Sequence, residues 1–311
     1  MIDSLFQRGA ALLAAAALTL GQGGCAAAAP RQPQAEAEPV SSAVSSAPAS
    51  SMPAPEAAVP PDITPGSETQ RGFLNDNVLH TPDQGDIHYS SYIPASYDGS
   101  APYALFVTLP GWEGLYFQGV GANMVEDFGV EALRYNDRMI VLSPQLNDWG
   151  ETSARQAIAL TEYFLEHYNI DPGRVYLHGM SGGGETASLV MGMRPDLYAA
   201  CLLTSTQWDG DLETLAAART PLYLAIGDRD SYYGPASLEE TYAALHDLYA
   251  GQGLTEEEIG RLLVLDVRGQ EFFSSHGFSD QHAGGQAFAH DPDVMGWLFA
   301  HQRQQGQQTR P

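Results

Sequence analysis

Ser181 stands in the run Gly179-Met180-Ser181-Gly182-Gly183, with glycine two places before it and two places after. A serine that attacks a carbonyl carbon must be held out on a tight turn, and the residues two away must be small because strand and helix crowd that turn. The apolar run Val175 to His178 precedes the motif and the helix-compatible run Glu185 to Val190 follows it. The expected context is therefore strand, turn, helix. The five-residue pattern alone is weak, and its placement is what lifts it above a glycine-rich turn carrying an ordinary serine.

A serine hydroxyl is a poor nucleophile near neutral pH, so it needs a histidine to take its proton and a carboxylate to fix the histidine's tautomer. This strand-turn-helix context resembles the α/β-hydrolase arrangement, and the resemblance implies that acid and then base follow the serine along the chain. After the apolar run Leu222 to Ile226 comes Gly227-Asp228-Arg229-Asp230. Asp230 is the candidate acid, because two further residues carry it away from the strand end; Asp228 is the alternative. Order sets aside four of the nine histidines: His80, His88, His167 and His178. His178 also lies within the strand before the serine, where a packed core role suits it. His246 falls in a helical stretch, Leu238 to Tyr249, and His301 at the end of a final helix, Val294 to His301. The loop after the last strand holds His276, His282 and His290. His282, followed by Ala283-Gly284-Gly285, is the candidate base, with His276 and His290 as alternatives. A metal site built from Asp280, His282, His290 and Asp291 matches no familiar ligand spacing.

The negative charge that develops on the attacked carbonyl needs amide donors. One is the amide after the nucleophile, Gly182. The second is expected in Leu109-Pro110-Gly111-Trp112-Glu113-Gly114, after an early strand, and the Trp112 amide is the candidate. The Trp112 indole would wall the acyl pocket or simply pack. Tyr232 and Tyr233 are candidates to line the same pocket, with surface packing as the alternative.

These groups need a scaffold that gathers strand ends. Tyr103 to Leu109, Met139 to Leu142, Val175 to His178, Ala199 to Thr204, Leu222 to Ile226 and Leu262 to Val267 are short apolar runs, as expected of strands covered on both faces. Between them lie helical patterns. The clearest, Thr152 to Tyr168, aligns Ala154, Ala157, Ile158, Thr161, Phe164, Leu165 and Tyr168 in one stripe, with Asp171-Pro172 as its stop. Alternating strand and helix predicts a mainly parallel α/β sheet with helices on both faces, in one domain over residues 67–304. Cys201, in an apolar strand, reads as a small buried hydrophobe.

The N-terminus has a different character. Gly9 to Leu20 is apolar except for Thr19, too short to span a bilayer and suited to an export signal. A small-residue stretch then ends at Cys25, resembling a bacterial lipoprotein signal in which that cysteine becomes the lipid anchor. Ordinary secretion and a retained helix are the alternatives. Residues 26–65 contain 12 Ala, 9 Pro and 6 Ser and no aromatic, which predicts a flexible tether through residue 66. Residues 305–311 read as a disordered tail.

The formal charge is −24, from 38 acids against 14 arginines, and the chain has no lysine. Phosphate binding rests on clustered cations, so nucleic-acid and polybasic membrane-patch functions are excluded. Of the charged groups, 32 acids and 12 arginines lie beyond residue 70, so the folded part is the acidic part.

The run Ile170-Asp171-Pro172-Gly173-Arg174-Val175-Tyr176, followed by GMSGGGETASLV, resembles the α/β-hydrolase superfamily over roughly residues 85–302. Within it the likeness is to secreted polyhydroxybutyrate depolymerase-like and feruloyl esterase-like enzymes and to the related prolyl oligopeptidase-like hydrolases. The resemblance implies a serine hydrolase working through a covalent acyl-enzyme, with Ser181, Asp230 and His282 in the three roles and no metal or organic cofactor. One departure is that LPGWEG replaces the usual histidine-glycine opening of the oxyanion loop. The expectation is an exported, lipid-anchored esterase acting on a small or polymer-derived ester. A peptidase of the same fold and an inactive surface binding module are the other readings.

Overall fold

The computed structural model of the protein describes Pro60 and residues 62–303. The expected export signal (1–25), its lipid-anchor Cys25, nearly all of the tether (26–66) and the tail (305–311) lie outside the described residues.

Among the described residues, ten strands form one sheet. They are β1 (Ile63–Thr64), β2 (Glu68–Gln70), β3 (Phe73–Thr81), β4 (Gly85–Tyr92), β5 (Tyr103–Leu109), β6 (Met139–Pro144), β7 (Ile170–Met180), β8 (Ala200–Thr204), β9 (Leu222–Gly227) and β10 (Leu263–Arg268). The helices are α1 (Phe128–Ala132), α2 (Glu151–His167), α3 (Gly182–Met193), α4 (Leu212–Ala218), α5 (Ala236–Gly251), α6 (Glu256–Leu262), α7 (Gln270–Ser275) and α8 (Pro292–Ala300). The spatial order is β1-β3-β4-β6-β5-β7-β8-β9-β10, with β2 on β3. From β6 to β10 every pairing is parallel, as the continuous apolar runs require, whereas β1 to β4 pair antiparallel.

Alternation along the strands divides the core in two. Leu105, Val107, Leu177, Leu203 and Leu224 point to the face covered by α2 to α5, where Ala157, Phe164, Val190, Leu215 and Leu245 meet them. Phe106, Tyr176, Leu202 and Ala225 point to the other face, against Phe128 of α1, Phe273 of α7, and Val294 and Leu298 of α8. Helices on both faces of a parallel sheet are thus a direct result of strands apolar at every position.

Three details depart from the sequence expectation. Ile63–Thr64 already pair with β3, so the ordered domain starts inside the segment assigned to the tether. Asp171 and Pro172 do not end α2; the helix stops at His167, and both residues belong to β7. The stretch after β10 is not an irregular loop: α7 and a 3-10 segment, Ala283–His290, occupy it. Packing of Phe273 and Phe288 into the core supplies what local propensity did not. Among the described residues, no helix is long and apolar enough to cross a membrane.

Candidate active site

The site forms where the C-terminal ends of β5, β7, β9 and β10 meet. The sheet order reverses beside β5, which lies between β6 and β7, and in open α/β sheets such a reversal is where sites form outside the strands' C-terminal ends.

Ser181 separates β7 from α3 and has φ 53° and ψ −127°, a conformation that side-chain-bearing residues adopt only under constraint. Its N–H donates to the Thr204 carbonyl at 3.1 Å, and the Thr206 hydroxyl donates to its carbonyl at 2.6 Å. The flanking glycines are sterically required. A Cβ at Gly179 would collide with the Gly183 backbone, and one at Gly183 with the carbonyl oxygens of Leu109 and Pro110. The spacing read from the sequence thus has its cause in strand, turn and helix packed without room for a methyl group.

Below the turn, His178 is fully buried. Its Nδ1 meets the Thr108 hydroxyl at 2.9 Å, its Nε2 the Thr204 hydroxyl at 3.1 Å, and its ring stacks on Phe128. Burial pushes its pKa down to about 3, so it is a neutral core residue, as expected.

Ser181 Oγ lies 3.0 Å from His282 Nε2. On the other side of the ring, His282 Nδ1 lies 3.0 Å from Asp230 Oδ2 and 3.2 Å from Oδ1. The Asp230 side chain is entirely shielded from solvent. Burial would raise its carboxyl, but hydrogen bonds from His282 and from the amides of Tyr233 and Tyr232 outweigh it, and the carboxyl is held below the usual range. The other candidates are elsewhere. Asp228 is exposed and accepts from Gln281 Nε2 at 2.8 Å; His276 is exposed and donates from Nδ1 to the Phe272 carbonyl; His290 pairs with Asp127. Of the four residues weighed as metal ligands, Asp291 caps α8 and Asp280 accepts from Ala283 N–H. Among the described residues, no three His, Cys, Asp or Glu side chains are gathered as a metal site.

The two amides expected to face the oxyanion belong to Trp112, first residue of a 3-10 turn, and Gly182, first residue of α3. N–H groups at a first helical position have no intrahelical acceptor. The loop carrying Trp112 does approach the nucleophile: a Cβ at Gly111 would lie 3.2 Å from the Ser181 Cβ. The Trp112 indole, however, points outward. It is 57% exposed and meets Phe117 edge-on, so it does not pack in the core.

Sequence reasoning missed Trp149, Gln281 and Glu185 as neighbours of the site, whereas Tyr232 and Tyr233 are the pair it offers as pocket lining. The Trp149 indole covers Gly182 so closely that a Cβ there would penetrate the ring. Gln281 Nε2 donates to Asp228, and its Oε1 accepts from Arg229 N–H, joining the acid-bearing and histidine-bearing loops. Tyr233 packs its ring against His282 and donates its hydroxyl to Glu185 Oε1 at 2.8 Å, within reach of Ser181 as well. Burial, with Glu185 beside it, pushes the Tyr233 hydroxyl well up, so it stays a donor. Tyr232 is far more exposed; its ring lies 5.3 Å from the His282 ring and meets Tyr233 edge-on. None of these contacts has a local sequence signal, since each joins segments dozens of residues apart.

The family model described as the prolyl oligopeptidase family matches residues 145–249. No curated protein matches the chain. Among solved structures, it is similar to a thermostable esterase, with TM-score 0.61 and 21% identity over 75% of this chain and 64% of that one. A glucuronoyl esterase from Solibacter usitatus gives TM-score 0.51 and 11% identity over 78% of this chain and 88% of that one. An S-formylglutathione hydrolase from Agrobacterium tumefaciens gives TM-score 0.50 and 15% identity over 77% and 99%. The chain therefore spans less than two thirds of the thermostable esterase. The chain thus has the mainly parallel α/β-hydrolase fold, and that fold brings Ser181, His282 and Asp230 together at the C-terminal ends of its strands.

Proposed function

We propose that the protein is a serine hydrolase that cleaves carboxylic esters through an acyl-enzyme on Ser181. The observation that carries this reading is the continuous relay from Ser181 Oγ through His282 to a buried Asp230, with the serine held on a strained turn.

Ser181 Oγ attacks the acyl carbon while His282 Nε2 takes its proton. Asp230 keeps the other ring proton on Nδ1 and stabilises the imidazolium that forms. The amides of Gly182 and Trp112 receive the developing oxyanion. His282 then returns the proton to the leaving alkoxide. A water then attacks the acyl carbon while His282 takes its proton, and His282 returns that proton to Ser181 Oγ as the acid leaves. These steps call on no metal or organic cofactor. Esterases among the similar structures support the ester reading. The match to the prolyl oligopeptidase model supports a second reading, a peptidase with the same relay.

A fluorophosphonate probe tests the chemistry. An adduct on Ser181, lost in Ser181→Ala, is expected; a folded protein that never labels would leave an inactive binding module as the better reading. Matched ester and anilide substrates with one acyl group then separate the two enzyme readings, faster ester turnover being expected. The net charge of −24 favours neutral or cationic substrates over anionic ones. We place the enzyme outside the cell, anchored through lipidated Cys25. Loss of membrane association in Cys25→Ser is the expected result, and a variant that fractionates as wild type refutes the anchor.

A further inference from the structure

The oxyanion side of the site rests on a loop whose own side chains give it little support at its tip. Trp112 and Phe117 are exposed, and the loop enters the core only at Leu109 and Leu115. What holds its middle is a carboxylate. Glu126, 5% exposed, accepts the Gly111 N–H on Oε1 at 2.6 Å. Gly111 lies between this carboxylate and the nucleophile, since a Cβ there would be 3.4 Å from Glu126 Oε1 and 3.2 Å from the Ser181 Cβ.

Glu126 is itself braced. Arg71, at the turn from β2 to β3, adopts φ 53° and directs its guanidinium at the 124–127 segment. Nη1 donates to the carbonyls of Met124 at 3.0 Å, Val125 at 3.3 Å and Glu126 at 3.1 Å, while Nη2 pairs with Asp127. Three carbonyls and a carboxylate on one planar cation fix that segment's path, which fixes where the Glu126 side chain begins.

We propose that Glu126 is a positioning residue for the oxyanion loop, set in place by Arg71. By capturing the Gly111 N–H, the carboxylate orients the peptide that precedes Trp112, so that the next amide faces the oxygen of a carbonyl bound at Ser181. Glu126 touches no reacting atom; it acts through the Gly111 peptide. The inference rests on the serine-hydrolase reading above. A buried carboxylate beside a site that must stabilise negative charge thereby has a task there: it accepts the Gly111 amide one residue before the Trp112 amide. Preorganised donors lose value steeply when misplaced, since a displacement of about 1 Å can cost on the order of 100-fold in rate.

The test compares wild type, Glu126→Ala, Glu126→Gln and Arg71→Ala on one activated ester, together with the rate of fluorophosphonate labelling. Glu126→Ala is expected to lower kcat by about 10- to 100-fold with KM within about threefold, and to slow labelling by a similar factor. Glu126→Gln keeps a carbonyl oxygen at the same reach and is expected to recover most of the loss. Arg71→Ala is expected to lower kcat by about threefold to tenfold, again with KM kept. A folded Glu126→Ala enzyme with wild-type kcat overturns the proposal, and so does a Glu126→Gln enzyme as impaired as the alanine variant. If Glu126→Ala does not fold, an Arg71→Ala enzyme with wild-type kcat overturns it instead. A wild type that neither labels nor turns over removes the serine-hydrolase reading and this inference together, whereas an active wild type matched by Glu126→Ala removes only this inference.

Discussion

Replacing Asp230 by asparagine changes one atom and should disable the base. In the wild type, Asp230 Oδ1 accepts the amides of Tyr232 at 3.0 Å and Tyr233 at 2.9 Å, and Oδ2 faces His282 Nδ1 at 3.0 Å. An asparagine must keep its carbonyl oxygen toward the two amides, because an NH2 group there would confront two donors. Its NH2 is then aimed at His282 Nδ1, which must become an acceptor. The single ring proton moves to Nε2 and points at Ser181 Oγ, so the ring can no longer take the serine's proton. Where a serine hydrolase loses its base through the wrong tautomer, kcat falls about 10⁴-fold, which is about 5.5 kcal/mol of barrier. The assay is steady-state hydrolysis of an activated ester by wild type, Asp230→Asn and Asp228→Asn, with near-UV circular dichroism to verify the fold. Asp228 is exposed and accepts from Gln281, a bond that asparagine can also accept, so Asp228→Asn should stay within about threefold of wild type. An Asp230→Asn enzyme that keeps more than about a tenth of wild-type kcat refutes the reasoning, as does a loss of about 100-fold in Asp228→Asn.

Gly183→Ala forces a methyl group onto the carbonyls of Leu109 and Pro110, and it should cost about 1–3 kcal/mol of stability, read as a lower denaturation midpoint, and reduce turnover. Burial raises the Glu185 carboxyl, the Tyr233 hydroxyl opposes the rise and Asp209 adds to it, so ionising Glu185 costs the folded state. That cost grows as pH rises above the ordinary Glu value of about 4.3, so the Tm of Glu185→Gln relative to wild type should be higher at pH 8 than at pH 4. Asp230 has the opposite sign: its depressed carboxyl contributes stability present above about pH 4 and lost as pH falls through its folded value. The acid limb of wild-type stability should accordingly be shallower in Asp230→Asn when denaturation is followed from pH 6 to pH 2. The Cys201 thiol is fully buried in β8 and pushed up by burial, so peptide mapping after iodoacetamide should find it unmodified in native protein and alkylated after denaturation.

The legible elements were those whose constraints are local. Parallel strands buried on both faces read as unbroken apolar runs, and α2 declared itself by one stripe. Strands β3 and β4 escaped notice because they form no apolar run: burial alternates along β3, but Asn75 and Asn77 fill buried positions, so the sequence does not alternate between apolar and polar. The end of α2 was misjudged for a related reason. Proline permits an extended conformation as readily as it forbids a helix, and Pro172 lies extended in β7, between Ile170 and Val175 where the register against β5 shifts.

Within the site the same division holds. Ser181 and its glycines could be read directly, because a turn with positive φ and no room for a Cβ restricts residue type over five consecutive positions. Order along the chain and place in loops narrow the remaining groups to Asp228 or Asp230 and to His276, His282 or His290, and only loop position and the neighbouring glycines favour Asp230 and His282 among them. Only tertiary structure brings His282 between Ser181 and Asp230, sends Asp228 to Gln281, turns the Trp112 indole outward, lays Trp149 on Gly182 and sets Glu126 under Gly111. The physical reason is range: a backbone turn constrains its own neighbours, whereas a hydrogen bond between residues 15 to 101 positions apart depends on where the whole sheet delivers its strand ends.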